Sequence, residues 1–181
     1  MLLQNVAADT QYLQEQADRL DGAETAGLLA RTREVIDMLC TSRADDDPMA
    51  TTDAHYSALY PLRYSGDLAL LEGRVGEAAE LFEKALTVDA SYSGAWLGLA
   101  ECARFASDRK RALKLYLRAI TENEWNHRAW LRGCSLLDEL EFHDNADSWR
   151  RKVAIQFPEH PAVLAGECGA AGTCGPVRAN V

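Results

Sequence analysis

The sequence predicts an all-α protein built from three helix–turn–helix repeats behind an N-terminal helical hairpin. Two observations carry this. The first is a period of 34 residues: Ala78, Ala112 and Ala146 recur at that interval, as do Ala85, Ala119 and Val153, Phe82 and Tyr116, and Trp96 and Trp130. A fixed period of that length is the mark of stacked helical hairpins, each too small to bury its apolar face alone. The second is the apolar spacing inside each period, at three and four residues, which is the spacing of one helix face.

The N-terminal segment, 1–40, reads as two helices broken at Asp21-Gly22. Leu3, Val6, Leu13, Ala17 and Leu20 share one face of the first; Leu28, Val35 and Leu39, with Leu29 and Ile36 beside them, mark the second. It has no counterpart one period on. Three duties fit it equally: capping the array, dimerising, or covering the groove.

Residues 41–58 are expected to be a linker, since TSRADDDPMATTD is polar, holds Pro48 and lacks apolar periodicity. The repeats then occupy 59–158. In the first, Pro61 is expected in a helix's first turn, Gly73 and Gly76 punctuate the middle, and Ala78, Leu81, Phe82, Ala85 and Leu86 form the stripe of the second helix. The second repeat pairs Trp96, Leu99, Ala100 and Ala103 with Ala112, Leu115, Tyr116, Ala119 and Ile120. Its alanines permit close approach of helices, and its aromatics fill the space between repeats. The third keeps Trp130, Leu137 and Ala146 but has Arg150 in place of Phe82 and Tyr116, so it reads as the degenerate, terminal repeat. Residues 159–181, rich in glycine, are expected to form a short cap and a flexible tail. An array so lightly capped leaves apolar surface at one end and predicts a homodimer.

Composition bounds the function. A net charge of −9 disfavours nucleic acid as partner, because phosphate neutralisation needs a basic surface. No run of 18 apolar residues and no signal-like N-terminus is visible, so no membrane insertion is expected and the location reads as cytoplasmic. Five cysteines without a C-x-x-C pair fit reduced thiols; Cys102 and Cys134 read as core residues, Cys168 and Cys174 as tail residues. His55, His127, His143 and His160 are scattered, so no metal site is indicated. No nucleophile elbow, phosphate loop or paired carboxylates beside a nucleophile occurs, and the expectation is a non-enzyme with no cofactor.

Trp96, Leu99, Ala112, Tyr116, Ala119 and their partners one period away resemble the tetratricopeptide repeat (TPR) family over about 100 residues. The resemblance implies a right-handed superhelix whose first helices line a concave groove for a peptide. Carried onto this chain, the groove positions are Tyr60, Arg63, Tyr64, Asp67, Leu97, Glu101, Arg104, Phe105, Arg128, Leu131 and Arg132, with Leu70, Leu71, Gly98, Ser135, Asp138 and Glu139 among them. Apolar side chains interspersed with arginine suit an extended peptide, which needs pockets for side chains and charges to orient its backbone. Of the five positions that clamp a C-terminal carboxylate in some members, Arg63, Arg128 and Arg132 keep a cation, while Asp67 and Gly98 replace asparagines. A carboxylate at Asp67 opposes such a clamp.

A narrower resemblance rests on WLGLAECARF (96–105), LYLRAI and RAWLRGCSLLDELEFHDNA. These runs look like the middle and last repeats of class II chaperones of type III secretion, which hold hydrophobic translocator subunits. The function expected is therefore that of an adaptor or chaperone holding an extended segment of another protein. The alternative is a self-associating scaffold, or an accessory subunit, with no client in the groove.

Overall fold

A computed structural model describes residues 53–160, together with Gly27, Ala30, Arg31, Arg33, Glu34 and Val163. Most of the expected N-terminal hairpin, the 41–52 stretch and nearly all of the tail lie outside the described residues. The described part is all-α. Its helices are α1 (Asp53–Leu71), α2 (Val75–Val88), α3 (Ser93–Phe105), α4 (Arg109–Glu122), α5 (His127–Glu139) and α6 (His143–Gln156). Each packs against the next, and α1 also touches α3, so the chain stacks three helical hairpins with the first helices of successive pairs side by side.

Two expectations about α1 change. The helix starts at Asp53, inside the stretch read as linker, and Pro61 lies within it instead of in its first turn. Proline has no N–H to give the carbonyl four residues earlier, so local sequence opposes a helix here. Packing reverses that preference: Leu59, Ala69 and Leu70 are buried in a cluster with α2 and α3.

The 34-residue period also governs the turns within each pair. Gly73, Ser107 and Glu141 all adopt positive φ, at 76°, 60° and 63°. Around each, the same two bonds close the preceding helix: Arg74 N to Ala69 O and Gly73 N to Leu70 O in the first pair, Asp108 N to Ala103 O and Ser107 N to Arg104 O in the second, Phe142 N to Leu137 O and Glu141 N to Asp138 O in the third. This is the left-handed helix stop that glycine serves best, used three times with glycine present once.

The described residues hold three core clusters in series. The first joins α1, α2 and α3 around Phe82, which is fully buried. The Phe82 ring is held between two glycines: a Cβ on Gly66 would lie 2.7 Å from it and one on Gly98 2.4 Å. The second cluster joins α3, α4 and α5 around Tyr116, with Leu97, Ala100, Ala112, Ala119, Ala129 and Leu136. The third holds Trp130, Cys134 and Val153, with Trp149 and Leu131 against them. Trp96 and Trp130 are structural equivalents, since each indole N–H bonds the carbonyl six residues earlier, on Ala90 at 2.9 Å and Glu124 at 2.8 Å.

The third pair replaces its lost aromatic in a shifted place. Arg150 turns to Asp138 and to Asp147, the latter at 2.6 Å. Trp149, one residue earlier, packs edge-on to Trp130 with ring centroids 5.1 Å apart and lies against Gly133.

Candidate functional site

The first helices α1, α3 and α5 bring most of the expected groove residues onto one wall. In α1, Tyr60, Tyr64 and Asp67 fall at helical spacing on one face, with Arg63 beside them. Tyr60 stacks on Tyr64 with centroids 6.2 Å apart, and the Arg63 guanidinium lies 5.0 Å from the Tyr64 ring centre. Arg63 Nε is 3.1 Å from Asp67 Oδ2. The contact is an ion pair whose angles do not make a hydrogen bond, and neither atom has another hydrogen-bond partner.

One period on, Glu101 stands where Asp67 stood, and its carboxylate is the hub of a second network. It accepts a 2.6 Å bond from the Tyr116 hydroxyl and a 3.1 Å bond from Arg104 Nε, and Arg132 Nε lies 3.8 Å away. Arg104 also covers Phe105, its carbon 5.5 Å from the ring centre.

Arg128, in the first turn of α5, lies between the two networks, within the fields of Asp67, Arg63, Glu101 and Arg132. Burial lowers its pKa first of all; the two carboxylates pull it up and the two arginines push it down. At Arg63 burial also lowers the value, yet Asp67, Tyr92 and Tyr64 outweigh it and the pKa is raised. Both guanidiniums stay charged at neutral pH, because arginine starts so high. The difference is in their partners: Arg63 has a carboxylate at contact distance, and Arg128 only shares the field of two that others engage.

Several expected residues sit differently from the reading of them as groove anchors. Tyr64 is 5% exposed and Leu97 6%, the latter inside the second core cluster. Leu131 is half-buried against the third cluster. Asp67, at 5%, is enclosed with Arg63. Leu97 is enclosed by residues of α4 and α5, and Tyr64 and Asp67 lie among Tyr60, Arg63 and Tyr92, so only a narrow strip stays open. That strip retains Tyr60, Arg104, Arg128 and Arg132 as half-buried groups and Phe105 as a 54% exposed one. Gly98, Leu70 and Asp138 are used otherwise: Gly98 seats Phe82, Leu70 is core, and Asp138 bonds Arg150.

Two tyrosines belong to the site without having been assigned to it. Tyr92, just before α3, is close enough to Arg63, Tyr64, Asp67 and Tyr60 to feel them, and burial pushes its hydroxyl up to about 12. Tyr116 presents its hydroxyl to Glu101 from the core side. The period identified Tyr116 as packing, but nothing in spacing alone says that a buried phenol will reach through to a groove carboxylate.

The expected groove positions include four arginines, Arg63, Arg104, Arg128 and Arg132, against four carboxylates, Asp67, Glu101, Asp138 and Glu139, so the wall is about neutral on a chain of −9. Among the described residues, no three His, Cys, Asp or Glu side chains assemble as a metal site, and no helix is long and apolar enough to cross a membrane. Residues 69–123, from the end of α1 through α4, match the family described as tetratricopeptide repeat. That match and the six stacked helices make this an all-α repeat fold of the kind that mediates protein–protein interaction. No curated protein matches the chain.

Proposed function

We propose that the protein is a non-catalytic adaptor that holds an extended, acidic segment of another protein along the α1–α3–α5 wall. The observation that carries this is the meeting of Arg104, Arg128 and Arg132 with exposed Phe105 along one strip of an otherwise acidic chain. Arg104 and Arg132 share the Glu101 carboxylate, whereas half-buried Arg128 only feels carboxylates that others engage and so gains most from an incoming anion; exposed Phe105 gives apolar contact. Arg128 and Arg132 orient the segment; Phe105 and Tyr60 anchor its side chains. Tyr64 and Leu97 hold the wall rigid.

The test is direct binding by the full chain, measured by fluorescence anisotropy with labelled twelve-residue peptides. One peptide mixes Asp and Glu with Leu and Tyr, a second has Lys in place of the acids, and a third is the first with an amidated C-terminus. The acidic peptide is expected to bind, the lysine peptide to fail, and amidation to leave affinity unchanged, with Arg128→Ala plus Arg132→Ala weakening binding at least tenfold. Equal binding of acidic and basic peptides, or no loss in the double variant, refutes the reading.

The narrower reading is that the client is a hydrophobic translocator subunit of type III secretion. It is supported by the resemblance of residues 96–105 and 128–146 to those chaperones. Co-expression of such a subunit from the same genome should keep it soluble in complex; a subunit equally insoluble with and without this chain removes that client.

A further inference from the structure

In a stacked array, one stripe of each first helix faces the second helix of the preceding pair. Ala95, Leu99 and Cys102 of α3 do so, sharing a buried cluster with Ala78, Phe82 and Ala85 of α2. Ala129 and Leu136 of α5 do the same with Ala112, Tyr116 and Ala119 of α4. One period earlier the stripe is Pro61, Ser65 and Leu68, continued by Glu72, and among the described residues no second helix of a preceding pair covers it.

That stripe is nevertheless covered. Pro61 is buried, Ser65 is half-buried and Leu68 is 4% exposed, although Leu68 belongs to none of the three clusters described above. At the Glu72 end the cover is identified by a named contact: Arg33 bonds the Glu72 carboxylate, which also accepts from Arg74 Nε at 2.9 Å. Gly27, Ala30, Arg31 and Glu34 are helical and exposed, and at 100° per residue they share one side of their helix. On a helical wheel drawn from the sequence alone, Leu28, Leu29, Ile36 and Leu39 fall opposite that side.

We propose that the helix around residues 27–34 lies along the Pro61–Ser65–Leu68–Glu72 stripe of the same chain, taking on α1 the place that the second helix of the preceding pair has on α3 and α5. Of the three duties that the sequence left open, this assigns capping. It leaves the α1–α3–α5 wall unfilled by this segment, and it closes the N-terminal end of the stack to self-association. The assignment is independent of what the wall binds.

Hydrogen exchange on the full-length chain tests it. With Leu28→Asp plus Leu29→Asp, amides of 62–72 should exchange at least tenfold faster while those of 127–139 keep their rates. Unchanged exchange over 62–72 overturns the proposal, and so does a uniform rise across all six helices. A second measurement needs no disruption of the docking helix: Ser65 is replaced by photoreactive benzoylphenylalanine in a mixture of ordinary and nitrogen-15-labelled chains. Cross-links to peptide 24–40 within one chain are expected. Cross-links that join a labelled to an unlabelled chain, or that reach only other parts of the molecule, overturn it.

Discussion

Replacing Gly98 by alanine sets two well-known effects against each other, and the structure decides between them. On propensity alone the change should stabilise, since alanine is favoured over glycine inside a helix by about 1 kcal/mol. In this fold the new methyl would lie 2.4 Å from two carbons of the Phe82 ring and 2.5 Å from a third. Carbon–carbon contacts are comfortable at roughly 3.5–4.0 Å, so the ring would have to move by about 1 Å. It has nowhere to go, because Phe82 is fully buried and its other contact is Gly66, where the equivalent approach is 2.7 Å. Overpacking of this kind costs about 1–3 kcal/mol, and more where the obstructing group is rigid. The net expectation is a loss of about 1–2 kcal/mol. With a urea slope of about 1–3 kcal/mol per molar, that lowers the unfolding midpoint by roughly half a molar or more. Phe82→Ala alone should cost about 3–5 kcal/mol through its cavity. Combining the two should cost less than their sum, because the Gly98 methyl then enters space the ring vacated. Urea unfolding followed by circular dichroism measures all three. A Gly98→Ala protein as stable as the parent, or more so, would show that the ring is not clamped and that the packing account of α1, α2 and α3 is wrong.

Ser107→Gly and Glu141→Gly should each stabilise the protein by about 1 kcal/mol, because both residues hold a left-handed backbone that costs an L side chain about 1–2 kcal/mol, less the extra freedom of glycine in the unfolded chain; thermal melting checks it, and destabilisation by both contradicts the turn assignment. Glu101→Ala should cost about 1–3 kcal/mol, since it strands the buried Tyr116 hydroxyl and removes the carboxylate from Arg104 and Arg132; adding Tyr116→Phe should recover part of the loss in the same urea titration. Alkaline stability should fall early. Burial raises Tyr92 from 10.0 to about 12, opposed by Arg63 and aided by Tyr64 and Asp67, and burial with the nearby Glu101 raises Cys102 from 9.0 to about 11. Both hold their protons more tightly when folded, so their stabilisation is complete below pH 9 and drains away as pH climbs toward 12. Melting temperatures at pH 8 to 11.5 should show this decline, and Tyr92→Phe should flatten its upper part; an unaltered slope would remove Tyr92 as a source.

The repeat order, the pairing of helices and most of the core were legible in the sequence, because a 34-residue period leaves the same apolar stripe in every pair. Ala78, Phe82, Ala85, Ala112, Tyr116, Ala119, Ala146 and Val153 were assigned to the interior by spacing and are buried. The positions expected to line a groove came from the same period, since a helix face repeats as regularly on its open side as on its closed one. What the tertiary structure decided is which of those residues remain open. Leu97 is shut in by residues of α4 and α5, and Tyr64 and Asp67 are buried with Tyr92 of the next pair nearby, relations between residues far apart in sequence that leave no trace in local pattern. The same holds for Pro61 inside a helix, for Trp149 taking the aromatic place that Arg150 vacated, and for Ser107 and Glu141 in a turn that local preference reserves for glycine. Each residue is unfavourable or unremarkable by itself and is held by packing energy collected elsewhere in the stack. Sequence periodicity determines which faces a helix offers; only the assembled array determines how much of each face its neighbours leave uncovered, because burial is a property of the neighbours.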